Sequence, residues 1–244
     1  MLSSLSIVVP AFNEAASIAA TVGDALRIGS SVARELEVLV CNDGSRDDTG
    51  KIVGELAAGD VRIRLLDRPQ NAGIEASMRA LYANARYDWV FLMSADRQWP
   101  MASLVELAGA AERGADFVIG VRPASRKRAV YTPYRRLVSW GYERIVRALG
   151  APGGDPGSIK LARRELMNTA VASRGVFAEG ERLIRAARSG ARVVEVGVEF
   201  TRRGAGKATG ARRDVVARAL VDAARVTTSL LVGWPRPKQP KSDV

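Results

Sequence analysis

Asp96 and Gln98 lie just beyond the short apolar run Trp89 to Met93. A run that is apolar at every position reads as a strand buried on both faces of a parallel sheet. Ligands of such sheets bind beyond the carboxyl ends of the strands. Spaced two apart, Asp96 and Gln98 point to the same side in extended chain. A carboxylate and an amide oxygen so placed can hold a hard divalent cation, with phosphate and water completing the shell. Taken alone, Ser94 to Pro100 also reads as ordinary turn chemistry after a strand. Two further strand ends carry comparable groups: Asn13-Glu14 after Leu5 to Val9, and Asp43 after Leu36 to Cys41. Singly, Asn13 is a helix N-cap and Asp43 a turn residue. Lined up on one sheet edge with helix N-termini facing them, the three suit a nucleotide diphosphate plus a metal.

The elements that must position these groups follow from periodicity. Strands are expected at Leu5 to Val9, Leu36 to Cys41, Val61 to Leu66, Trp89 to Met93 and Asp116 to Gly120. Between them come helices at about 14–28, 45–57, 71–86 and 101–113, the second opened by a Ser45/Asp48 capping box. This alternation predicts an α/β chain, a doubly wound, mostly parallel sheet with helices on both faces. The rhythm then changes. Pro133 to Leu149 reads as an amphipathic helix with Leu137, Tyr142, Ile145, Val146 and Leu149 on or near one face. Helices at about 163–170 and 178–189, a strand at 192–200 and a last helix from 213 to about 231 complete the chain. No repeat and no linker interrupts it. One domain over 1–234 is expected, with a donor half to about 121 and an acceptor half from 122, and a disordered tail at 235–244.

Composition narrows the chemistry. The 244 residues contain no histidine, which removes His-based triads and His metal sites. A single cysteine, Cys41, rules out an internal disulfide and fits the cytoplasm. The first residues lack the pattern of a signal peptide, and no apolar stretch approaches the roughly 20 residues that span a bilayer. The net charge of +11 is concentrated at 122–147 and 202–213. Such a surplus attracts polyanions. Aromatics are not interleaved with it, which weighs against nucleic acid.

Ser6-Ile7-Val8-Val9-Pro10-Ala11-Phe12-Asn13-Glu14, Val40-Cys41-Asn42-Asp43-Gly44-Ser45, Asn71-Ala72-Gly73 and Ser94-Ala95-Asp96-Arg97-Gln98 resemble, in order, the motifs of family 2 glycosyltransferases of GT-A fold. The likeness is nearest to the dolichol- and polyprenyl-phosphate sugar synthases and runs over roughly residues 5 to 210. It implies a first nucleotide-binding segment at Pro10, Ala11, Asn13 and Glu14, and a base-contacting carboxylate at Asp43. Asp96 matches the last acid of the DxD-type motif, and Gln98 the glutamine that can join a Mg²⁺ or Mn²⁺ shell. The first acid of that motif is here Ser94, a weaker neutral ligand. The cation is then left to Asp96, Gln98 and the donor phosphates, and a metal-independent variant stays open.

The acceptor half is similar too. Gly120-Val121-Arg122, Tyr134-Arg135-Arg136-Leu137-Val138-Ser139, Asp155-Pro156-Gly157-Ser158-Ile159-Lys160-Leu161 and Arg203-Gly204-Ala205-Gly206-Lys207 match its stretches. Arg122, Arg136, Ser139, Lys160, Arg203 and Lys207 are thereby implied to bind the anionic substrates, and Asp96 and Asp155 to act in catalysis. The resemblance implies inverting transfer from a GDP- or UDP-sugar to a polyprenyl-phosphate-type acceptor. An ionised phosphate needs no base, whereas a hydroxyl acceptor would hand its proton to Asp155. Location at the inner membrane face is expected through the basic acceptor half and the apolar 226–234 segment. Two alternatives stay open: a soluble transferase of small molecules, and a non-catalytic nucleotide-sugar binder.

Overall fold

A strand buried on both faces needs an apolar side chain at each position, and the fold rests on strands of that kind. The computed structural model describes residues 1–93, 99–122, 132–152, 158–175, 177–199 and 213–231. In chain order the elements are β1 (Leu2–Ala11), α1 (Ile18–Val32), β2 (Ala33–Asp43), α2 (Thr49–Gly59), β3 (Ile63–Arg68), α3 (Ile74–Asn84), β4 (Trp89–Leu92), α4 (Ser103–Glu112) and β5 (Phe117–Val121). Then follow α5 (Pro133–Ala148), β6 (Lys160–Arg163), α6 (Arg164–Met167), α7 (Ala178–Arg188), β7 (Val193–Gly197) and α8 (Arg213–Leu231).

These strands form one seven-stranded sheet in the order β3-β2-β1-β4-β6-β5-β7. Every pairing is parallel except those of β6, which runs antiparallel to both β4 and β5. Ile7 lies opposite Val38 on one side and Phe91 on the other. Alternate strand residues feed two cores. Ile7, Val9, Val38, Val40, Phe91 and Met93 pack on the side covered by α1, α2 and α4. Val8, Leu39, Cys41, Val90 and Leu92 pack on the side covered by α3, α5, α7 and α8. The period of two between the faces is that of any strand. The expected α/β sheet with helices on both faces is therefore present.

Details differ from the periodicity reading for local reasons. The first helix begins at Ile18, not Glu14, because residues 12–15 are held in a loop by hydrogen bonds to residues 45–49. The Ser45/Asp48 capping box does not form: α2 starts at Thr49 after Asp48, with no side-chain cap. The strand β6 was not anticipated. It is four residues long with Lys160 at its start, and a lysine ordinarily argues against an interior strand. Leu137 does not join the buried face of α5; it is 62% exposed. Among the described residues no helix is long and apolar enough to cross a membrane. The expected disordered tail lies outside the described residues.

Candidate active site

The parallel pairing of β1 with β2 and β4 brings three strand ends to one edge. Ala11 lies opposite Asn42, and the Met93 N–H donates to the Val8 carbonyl at 3.1 Å. The chain leaves the sheet at 12–15, 44–48 and beyond 93 on this edge.

The first loop is fixed by the second. Asn13 has φ 55°, a left-handed conformation that asparagine tolerates better than most residues. Its N–H donates to Ser45 Oγ at 2.9 Å, and its Oδ1 accepts from the Arg46 N–H at 2.8 Å. The Glu14 N–H donates to Thr49 Oγ1 at 2.8 Å, and the Ala15 N–H to Asp47 Oδ2 at 3.0 Å. Asn13 is therefore a tie between loops and not a helix N-cap. The half-buried Glu14 accepts from Ser17 Oγ at 2.8 Å. Burial pushes the Asp47 carboxyl up, but hydrogen bonds from Thr49, Ala15 and its own N–H prevail and hold it below the usual range. Pro10 and Ala11 end β1 at this junction.

The second loop is fixed by a third. Asp43 is 4% exposed. Its Oδ1 accepts from the Ala72 N–H at 3.0 Å and from Arg68 Nη1 at 3.3 Å, and its Oδ2 from the Gly73 N–H at 2.8 Å. An ionised carboxylate has about four acceptor positions, and the described residues fill three of them. Asn42 beside it donates to Asp67 Oδ1 at 2.7 Å and accepts from the Ser45 N–H at 3.2 Å. Gly44 has φ +67°, and a Cβ there would stand 2.5 Å from the Asn71 nitrogen and the Gln70 carbonyl carbon. Only glycine fits that approach.

At the end of β5, the Arg122 guanidinium lies over the Trp99 ring at 4.6 Å, with Arg122 8% and Trp99 4% exposed. These two residues flank the described ends of the chain on either side of 94–98 and 123–131. Gly120 allows a close approach, since a Cβ there would meet Ile159 Cγ1 at 2.8 Å. Ser158 Oγ donates to the Gly120 carbonyl, so the chain entering β6 is tied to the end of β5. Arg136 is exposed and Ser139 half-buried on α5, whose Thr132 N-cap accepts from the Arg135 N–H at 3.3 Å. Asp96, Gln98, Ser94, Asp155, Arg203 and Lys207 lie outside the described residues. The described residues show no cluster of three or more acids or cysteines that could hold a metal ion.

Lys160 reads differently in its surroundings. It is 2% exposed, and its ammonium lies 3.1 Å from Glu179 Oε2 and donates to the Ser158 carbonyl at 3.1 Å. Glu179 also accepts from Arg182 Nη1 at 2.6 Å and from Tyr82 Oη at 3.2 Å. Arg182 in turn lies 3.8 Å from Glu75. Burial lifts the Glu75 carboxyl to about 7, against the opposing pull of Arg182. Lys160 thus belongs to an interior ion network joining β6, α3 and α7. The residue expected among the substrate-binding groups thus has, within the described residues, Glu179 and the Ser158 carbonyl as partners.

Several residues at this edge were missed in the sequence: Asn42, Asp47, Thr49, Arg68 and Trp99. Asp47 and Thr49 carry a readable signal, an acid and a hydroxyl two apart after a Gly-Ser turn. Arg68 and Trp99 carry none, because their roles arise from pairings across the chain.

The model of the family described as "Glycosyl transferase family 2" matches residues 6–169. The polyprenol monophosphomannose synthase of Mycolicibacterium smegmatis is 30% identical over 209 residues, covering 81% of this chain and 77% of that one. The undecaprenyl-phosphate mannosyltransferase of Micrococcus luteus is 30% identical over 211 residues, covering 82% and 84%. Other curated relatives are matched over about half of their own length, among them a dolichyl-phosphate β-glucosyltransferase of Trichomonas vaginalis at 48%. In fold, the chain is similar to glucosyl-3-phosphoglycerate synthase of Mycobacterium tuberculosis, solved with Mn²⁺, UDP-glucose and phosphoglyceric acid. The TM-score is 0.67 at 21% identity, covering 91% of this chain and 80% of that one.

Proposed function

The chain belongs to glycosyl transferase family 2, and from that premise we propose that it moves a sugar from a nucleotide sugar to the phosphate of a polyprenyl-type lipid, inverting the anomeric carbon. One observation carries the reading: three loops at the carboxyl edge of the sheet are tied to one another through Asn13, Asp43 and Asp47. That ready-made cradle stands at the edge where an open α/β sheet binds its ligands. The names of the relatives support the acceptor, since they act on polyprenol, undecaprenyl phosphate and dolichyl phosphate.

In this reading the donor nucleotide lies along Pro10, Ala11, Asn13 and Glu14, and the Asp43 carboxylate takes an N–H of the base. Asp96 and Gln98 would hold a divalent cation, which when bound would supply positive charge against the donor diphosphate. Arg122, Arg136, Ser139, Arg203 and Lys207 bind the phosphates of donor and acceptor, arginine through paired N–H bonds. An oxygen of the acceptor phosphate attacks the anomeric carbon from the face opposite the diphosphate. The new carbon–oxygen bond forms as the bond to the nucleotide diphosphate breaks. The attacking oxygen is already ionised, so a chain without histidine lacks nothing for this step. Holding donor and acceptor together supplies much of the rate.

The test is transfer by purified protein from a panel of UDP- and GDP-sugars to a short, water-soluble polyprenyl phosphate, with Mg²⁺, Mn²⁺ or chelator. Glycosyl phosphate product, lost on Asp96→Ala, is the expected result and names the donor. Nucleotide binding without transfer to any phosphate acceptor would overturn the acceptor class and turn the search to hydroxyl acceptors, with Asp155 as the base.

A further inference from the structure

Trp99 and Arg122 join two chain segments that the sheet keeps apart. The strands they follow, β4 and β5, are separated by β6. The contact between the two residues therefore links the chains that leave β4 and β5 on either side of β6. Trp99 is anchored, being 4% exposed and part of the first core, which also holds Met93, Met101, Ile159 and Val198. Gly120, two residues before Arg122, lets that same core come close. A Cβ there would meet Ile159 Cγ1 at 2.8 Å and Val198 Cγ2 at 2.9 Å. A side chain as long and as charged as arginine is seldom buried without compensation. Arg122 is 8% exposed, and its guanidinium lies over the Trp99 ring at 4.6 Å. The ring attracts the cation through its quadrupole, which engages the charge and not the N–H fork. The fork is the part of arginine that meets phosphate oxygens.

We infer that Trp99 is a positioning residue, whose ring fixes the Arg122 guanidinium to receive a phosphate group of a substrate. The inference rests on the reading of Arg122 as a phosphate ligand given above, and adds the residue that orients it. Leucine or methionine would fill core space at 99 but offer no face to a cation. An aromatic ring supplies packing and charge stabilisation together. The donor diphosphate and the acceptor monophosphate present the same oxygen chemistry to the fork, so the test varies them separately.

The experiment compares native protein with Trp99→Phe, Trp99→Leu, Arg122→Gln and Trp99→Leu/Arg122→Gln. For each, kcat and KM are measured with the nucleotide sugar and the short soluble polyprenyl phosphate varied in turn, beside thermal unfolding. Trp99→Leu should raise one KM about tenfold, and Trp99→Phe, which keeps a ring face, should recover most of that loss. The substrate whose KM moves identifies the phosphate. In the Arg122→Gln background Trp99→Leu should add almost nothing, because the arginine it orients is gone. Equal effects of Trp99→Phe and Trp99→Leu, an undiminished effect without Arg122, or two unchanged KM values would overturn the inference. A second measurement serves if Trp99→Leu fails to fold. The indole N–H resonance of Trp99, identified by its absence from Trp99→Phe, should shift when native protein is saturated with UDP, GDP or the soluble acceptor, and stay in place in Arg122→Gln. A resonance that stays fixed in native protein, or that shifts equally without Arg122, would overturn the inference. A shift in native protein that transfers no sugar would count against the proposed function and leave the inference standing.

Discussion

The Asp43 carboxylate closes the loop at residues 72–73 by accepting from two backbone N–H groups. Asp43→Ala removes the acceptor for both backbone N–H groups and for Arg68. Calorimetric titration with nucleotide should show at least roughly tenfold weaker binding, and denaturant unfolding a loss of about 2 kcal/mol. Glu75 makes a prediction in pH. Its carboxyl is lifted to about 7 in the folded chain, whereas an unfolded glutamate releases its proton near about 4.3. The folded state binds more protons across that window, so stability falls as pH rises through it. Urea midpoints should show native protein losing stability relative to Glu75→Gln between about pH 5 and pH 7.5. No change in that difference would mean Glu75 is ionised throughout. Much at this scale was legible in the sequence, since Asn13, Asp43 and Arg122 do stand at the strand ends where the order of elements puts them. Lys160 was not. Its fate is set by Glu179 and Arg182, which lie on a helix that only the fold brings beside it.

At the scale of elements, the join between β2 and α3 is a close backbone approach at Gly44. Gly44→Ala should cost more than about 1 kcal/mol, since it combines a left-handed φ with a backbone clash. Thermal unfolding with and without nucleotide would measure it, and the penalty should grow with nucleotide present if the loop at 70–73 shifts. The short strand β6 makes a contrasting claim. Lys160→Met leaves Glu179 buried with one partner fewer, and should lower stability by about 3 kcal/mol. A raised acceptor KM with unchanged stability would instead place Lys160 in the substrate site. The helices and outer strands were legible because their apolar spacing is regular. The strand β6 was not, because half of its sequence is charged, and its pairing partners are fixed by long-range packing.

For the whole molecule, β6 couples the two halves of the chain. It comes after residue 122, yet it pairs with β4 and β5 from before it. The single-domain expectation becomes a prediction on that basis: urea unfolding followed by near-UV and far-UV circular dichroism should give one coincident transition. A chain cut after residue 121 should not fold, because it leaves the facing edges of β4 and β5 without their shared neighbour. Two separate transitions would show that the halves are independent. The sequence showed the alternation that builds the sheet but not the strand order, because order depends on which edges remain open when the later segments arrive.

The reversed direction of β6 has a consequence for how such a protein can change over evolutionary time. Lys160, its first residue, lies opposite Leu92 and Ile119 near the ends of β4 and β5, so β6 begins where its neighbours finish. The segment before it spans from the end of α5 to a point pinned by Ser158 against the Gly120 carbonyl. The rungs of β6 are thus fixed from its first residue by its two neighbours. Descendants of one ancestor could therefore vary the chain that leads into β6 while inheriting the pairing of β4, β6 and β5 intact.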